Sequence, residues 1–140
     1  MVNFTKLNLM ELNVTMKGNL IQTNVLKNGL ILEIYDQSRE IAGNRWLVKM
    51  AAKIEIPIDR LHLGDGLNKQ VDLNSLKKSF GNFVRYEQKR ERNFIAEKEK
   101  NIVFDDLMSS FLTSTRRYLS HPNFAVRYAV KAYLKLQEVI

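Results

Sequence analysis

Residues 46–58 read WLVKMAAKIEIPI, with Trp46, Val48, Met50, Ala52, Ile54, Ile56 and Ile58 on every second position and Lys49, Lys53 and Glu55 among the residues between them. Side chains of a strand alternate between two sides, so this period of two sends one row into a core and the other into water. A helix, with 3.6 residues per turn, would not sort them this way. At ~1.5 to 3 kcal/mol for each large apolar side chain removed from water, the row contributes on the order of 10 kcal/mol before chain entropy is subtracted. The rest of the chain must supply a cover for it.

On the N-terminal side, residues 10–17 alternate again, Met10, Leu12, Val14 and Met16 against Glu11, Asn13, Thr15 and Lys17, and are predicted to form a strand. Gly18-Asn19 breaks it. Residues 20–26 read as a weaker strand, because Gln22, Thr23 and Asn24 leave little apolar area. Lys27-Asn28-Gly29 then predicts a tight hairpin, with Asn28 and Gly29 suited to the two positive φ angles of a type I′ turn. Residues 30–36, apolar at Leu30, Ile31, Leu32 and Ile34, are the returning strand and apolar enough to lie centrally. A polar loop over 37–44 connects it to 46–58 as an antiparallel hairpin. Pro57 lacks an N–H and marks the limit of pairing.

On the C-terminal side, residues 59–71 show no sustained period. Asp72 is placed to cap a short helix through Leu73, Leu76, Lys77 and Phe80, with Gly81 as the left-handed residue after it. A strand over 83–92 follows, its charged middle suiting a sheet edge, although a helix beginning at Glu87 fits the same residues. Phe104, Leu107, Met108, Phe111, Leu112, Thr115, Tyr118 and Leu119 recur at three- and four-residue steps, with residues 97–100 as exposed early turns. Ser120-His121-Pro122 ends that helix, and Val126, Ala129, Val130, Tyr133, Leu134 and Ile140 give a second one its apolar side. The expectation is a single α+β domain over 1–140, mainly β in 1–93 and two helices in 94–140. An antiparallel meander of about five strands, open or partly closed into a barrel, is covered by a C-terminal helical hairpin.

With 140 residues and no cysteine, the chain is long enough to bury a core without staples, and it carries no disulfide, thiolate metal site or cysteine nucleophile. No leader-like start and no long apolar run is visible, which leads to the expectation of a cytoplasmic protein without a membrane span. The formal charge is +7 and the pI 9.7, spread as +2, +3 and +2 over residues 1–60, 61–100 and 101–140. A basic patch would have to be assembled by the fold.

Catalytic and metal-binding patterns are poorly represented. His62 and His121 lie far apart, neither with a second ligand at metal spacing. Asp105 and Asp106, as helix neighbours, point in different directions and do not converge on a substrate. Gly64-Asp65-Gly66 lacks the third glycine and the Lys-Ser or Lys-Thr of a phosphate loop, and Ser109-Ser110 has no nucleophile-elbow setting. Asp36-Gln37-Ser38 followed by Gly43 resembles the Asp-x-Ser-x-x-Gly signature of the PilZ domain, a β-barrel that binds a cyclic dinucleotide. Here the glycine stands two positions too far on and no arginine precedes Arg39, so the ligand is not carried over. Neither a cofactor nor a metal is expected.

The remaining candidate is electrostatic. Arg85, Lys89, Arg90 and Arg92, with Tyr86 among them, would offer phosphates a basic strand and a base a stacking partner, and Arg39 and Arg45 flank the loop before the organising strand. Glu87 and Glu91 are interleaved, which gives the same stretch a second reading as a solvated edge. Trp46 is assigned to the core by its place in the alternation. Three functions follow in order: a non-enzymatic binding or assembly module for a protein partner or a second copy, a nucleic-acid or anionic-ligand binder, and a small enzyme whose site the sequence does not display.

Overall fold

The computed structural model describes residues 17–63 and 71–139. The strand expected over 10–17 lies outside these residues except for Lys17, and Gly64-Asp65-Gly66 and Ile140 also lie outside them. Five antiparallel strands form one sheet: β1 (Asn19–Val25), β2 (Ile31–Asp36), β3 (Arg39–Ala42), β4 (Arg45–Pro57) and β5 (Phe83–Ala96). β4 is its axis. β5 pairs along one side of it from Arg45↔Ala96 to Pro57↔Phe83, while β2 and the short β3 share the other, at Met50–Lys53 and Arg45–Leu47. β1 pairs outside β2. Among the described residues β1 and β5 remain edges, so the sheet is open and the barrel alternative does not hold.

The alternation in β4 is borne out: Val48, Met50, Ala52, Ile54 and Ile56 are buried, as are their neighbours Leu32, Ile34 and Val84. Three helices serve that face, α1 (Leu73–Phe80), α2 (Lys100–Leu119) and α3 (Phe124–Val139). α2 lies across β4 and β5 with Phe104, Leu107, Phe111 and Leu119 inward, whereas α3 packs against α1 and adds Phe124, Val126 and Ala129 to the core. The two C-terminal helices thus cover different parts of the sheet. One residue of the outward row departs from the pattern, since Ala51 is buried beside Tyr35. The ammonium groups of Lys17 and Lys53 stand 5.4 and 5.0 Å from the Tyr35 ring centre and close that spot to water.

The local signals resolve as physics requires, with four corrections. Asp72 accepts from Ser75 N at 2.7 Å, and Gly81 ends α1 at φ 80°. The β1–β2 loop is not a type I′ turn. Only Gly29 has a positive φ, 88°, with Gly29 N bonded to Leu26 O, so the loop is a turn followed by a left-handed glycine, the usual three-residue alternative. Asn28, freed from that role, accepts from Leu30 N and donates to Leu119 O (2.8 Å) and His121 O (3.1 Å), tying the hairpin to the end of α2. Residues 37–44 contain β3, a strand too short and too exposed to show a pattern. Asp36 and Ser38 hold the turn before it, through Ser38 N to Asp36 Oδ1 (2.8 Å) and Lys49 N to Ser38 Oγ (3.0 Å).

The remaining corrections concern β5. It continues past residue 92 to Ala96, and a single 3-10 turn, Glu97–Glu99, leads into α2, so the helical part begins later than residue 94. The extension is made by a bulge: Trp46 pairs with Ile95 and Val48 with Arg92, leaving an extra residue on β5. Phe94 occupies it at φ 60°, 63% exposed.

Candidate functional site

Strand alternation divides the cations of β5. Arg85 and Lys89 pair with Glu55 and Ala51 of β4, on the outward face, where Arg85 Nε stands 3.8 Å from Glu55 and Lys89 Nζ 3.2 Å from Glu87. Lys53 adds a second contact to Glu87 at 3.7 Å. Arg90 and Arg92 pair with Met50 and Val48 and so take the inward side. There the Arg90 guanidinium lies 5.7 Å from the Phe111 ring centre, half-buried, while Arg92 is exposed. Arg39 is exposed on β3, and Arg45 stands 5.3 Å over the Phe94 ring. The six cations are not gathered on one surface. Trp46 is half-buried against the core with the Lys100 ammonium 3.8 Å from its ring centre, which agrees with the core assignment.

Arg90 instead joins a different group. It borders an open groove of about 630 Å³ between β5 and helices α1, α2 and α3, whose walls include Tyr86 from β5, Tyr118 from α2, and Tyr128, Lys131 and Lys135 from α3. No Asp or Glu lines this groove. Phe124 is its buried hub: Tyr86 and Tyr118 meet its ring edge-on at 5.6 and 5.3 Å, and Tyr128 stacks on it at 5.7 Å. Tyr86 and Tyr128 also meet edge-on at 5.3 Å. Such pairs fix ring orientation and contribute ~0.5 to 1.5 kcal/mol each beyond area burial. The rings are therefore held, and Tyr118 is 58% exposed.

Burial pushes the Tyr86 phenol up to about 12, reinforced by the neighbouring Tyr118 and Tyr128 and opposed by Arg90. Burial likewise raises Tyr128, with Tyr118 adding to it. Both phenols stay protonated and uncharged at neutral pH, so the net charge of the groove is set by its cations. The arrangement offers an aromatic surface and positive charge together, and among the described residues no three His, Asp or Glu side chains converge as a metal site.

Lys131, Lys135 and Tyr128 do not stand out in the sequence reading and Tyr118 appears there only on the apolar side of its helix, although a signal for the two lysines exists. From residue 107 to 137 the chain holds five Lys or Arg and no Asp or Glu. Summing charge over 101–140 hides this, because Asp105, Asp106 and Glu138 stand at the two ends. No family model, no curated protein and no solved structure matches the chain.

Proposed function

We propose that the protein is a non-enzymatic binding module whose groove between β5 and the helices takes single-stranded nucleic acid. The observation that carries this reading is the meeting of Tyr86, Tyr118 and Tyr128 with Arg90, Lys131 and Lys135 in a groove without a carboxylate. A single strand presents unstacked bases and a row of phosphates. Stacking on an aromatic side chain contributes ~1 to 3 kcal/mol per base and tolerates any sequence. Lys131 and Lys135, four residues apart on one helix, lie on the same side and give the phosphates two neighbouring charges. Tyr118 supplies the exposed ring.

Fluorescence anisotropy with a labelled oligothymidine at low salt tests the reading. Wild type is expected to bind with a logarithmic salt dependence. K131Q/K135Q should flatten that slope by about 1.4, at ~0.7 per lost phosphate contact, and Tyr118→Ala should weaken binding roughly tenfold. Absence of binding at low salt ends the proposal.

A protein partner would find its surface elsewhere, on edge strand β1, where Leu20, Ile21 and Val25 are 51%, 50% and 72% exposed. Sedimentation over a range of concentrations tests that reading: association that Val25→Lys abolishes supports it, and a monomer throughout argues against self-pairing.

A further inference from the structure

On the other side of α2 lies a second groove, of about 750 Å³, between the tip of the β1–β2 hairpin and the last turn of the helix. We propose that it binds a phosphate or pyrophosphate group, at a site separate from the tyrosine groove. Lys27, Arg116, Arg117 and His121 line it together with the hydroxyls of Thr113 and Ser120, and no carboxylate does. Among the described residues Lys27, Arg116 and Arg117 enter no ion pair.

Basic residues in a last helical turn ordinarily serve the helix's own free carbonyls. Here three of the last four carbonyls, those of Arg116, Tyr118 and Leu119, have other donors. Ser120 N bonds Arg116 O at 2.9 Å, His121 N bonds Tyr118 O at 3.3 Å, and Asn28 Nδ2 serves both Leu119 O and His121 O. The guanidinium groups are thus largely released from that role, and their two full charges outweigh the roughly half negative charge of the helix end. His121 adds a directed donor. Its Nδ1 accepts from Asn123 N at 3.0 Å, so in the neutral ring the proton sits on Nε2. Arg116 and Arg117 leave the helix in different directions, but both long side chains reach the border of this groove. A guanidinium fork matches a phosphoryl group bidentately, and Lys27 adds a point charge from the facing hairpin. Exposed Val25 and half-buried Leu112 border the groove with apolar surface, which suits a phosphate carried on an organic group.

Titration calorimetry with inorganic pyrophosphate tests the site on the full chain. Saturable one-to-one binding is expected, weakened roughly tenfold or more in R116Q/R117Q and several-fold in Lys27→Gln, and unchanged in K131Q/K135Q. Lys27→Gln sits at an exposed turn and keeps the test valid if the double variant melts early. Absence of saturable binding, or equal weakening by R116Q/R117Q and K131Q/K135Q, overturns the proposal. Repeating the titration with the oligothymidine present distinguishes the sources. Undiminished pyrophosphate binding assigns the groove to a small phosphorylated compound, and competition in the wild type together with weaker oligothymidine binding by R116Q/R117Q assigns it to phosphates of a strand crossing α2.

Discussion

Strand β5 and the helical layer carry the same kinds of cation in opposite company. On β5 the outward Arg85 and Lys89 find Glu55 and Glu87 within 3.8 and 3.2 Å, because glutamates alternate with the basic residues along the strand and stand near them across it. In α2 and α3 the stretch from 107 to 137 has no acidic residue at all. Exposed ion pairs contribute ~0 to 1 kcal/mol and largely cancel each other's field at a distance, so Arg85 and Lys89 present little net charge on the outward face. The cations between residues 107 and 137 enter no ion pair among the described residues, although Glu138 borders a neighbouring pocket with Lys131 and Lys135. The contrast shows that the placement of carboxylates, more than the count of lysines and arginines, decides where positive charge stands without an ion-pair partner among the described residues.

The largest effect tests the alternation on which the contrast rests. Ile54 is buried to 1% and Lys53 is its outward neighbour, so Ile54→Asp should cost several kcal/mol of a total stability of ~5 to 15 and largely unfold the domain. Lys53→Asp should cost about 1 kcal/mol, from a weak ion pair and a ring contact. Urea denaturation compares them, and equal midpoints would break the assignment of faces.

A smaller effect separates the two cation sets. In the anisotropy assay R85Q/K89Q should change affinity less than about twofold, since those cations are already partnered, whereas K131Q/K135Q should weaken it roughly tenfold, near 1.4 kcal/mol. Reversal of that order would return binding to the strand.

Alkaline pH probes the tyrosine cluster. A phenol that titrates near 12 when folded and near 10 when unfolded favours the folded state fully below pH 10, and the benefit is lost as pH rises toward 12. Melting temperature should therefore fall across that window, and Tyr86→Phe should remove part of the fall. An identical pH profile in the variant would contradict the burial assigned to this ring.

The smallest effect concerns the bulge that extends β5. Phe94 holds a left-handed backbone that glycine adopts freely, so Phe94→Gly should be neutral or stabilising by under ~1 kcal/mol despite loss of the Arg45 contact. Clear destabilisation would show that the exposed ring matters to the fold.

The fold was legible where one physical signal dominates. Residues 46–58 have a period of two because one face is covered and the other wet, and Asp72, Gly81 and Pro122 mark helix ends through capping and missing N–H groups. Asn28-Gly29 was ambiguous because it satisfies two loop types, and the long-range bonds of Asn28 to the end of α2 are not written in its neighbours. β3 left no trace, since four exposed residues have no burial to record. The groove was illegible for a different reason. Its members come from β5, α2 and α3 and converge only when Phe124 packs between them, so no spacing announces them. Of the basic residues marked in advance, Arg90 alone lines it.

The most direct measurement is an amide chemical-shift map of the labelled protein titrated with the oligothymidine. Perturbations centred on Tyr118, Tyr128, Lys131, Lys135 and Arg90, with Arg85, Glu87 and Lys89 unmoved, are the predicted result. Shifts concentrated on the outward face of β5, or none in the groove between β5 and the helices, would contradict the account.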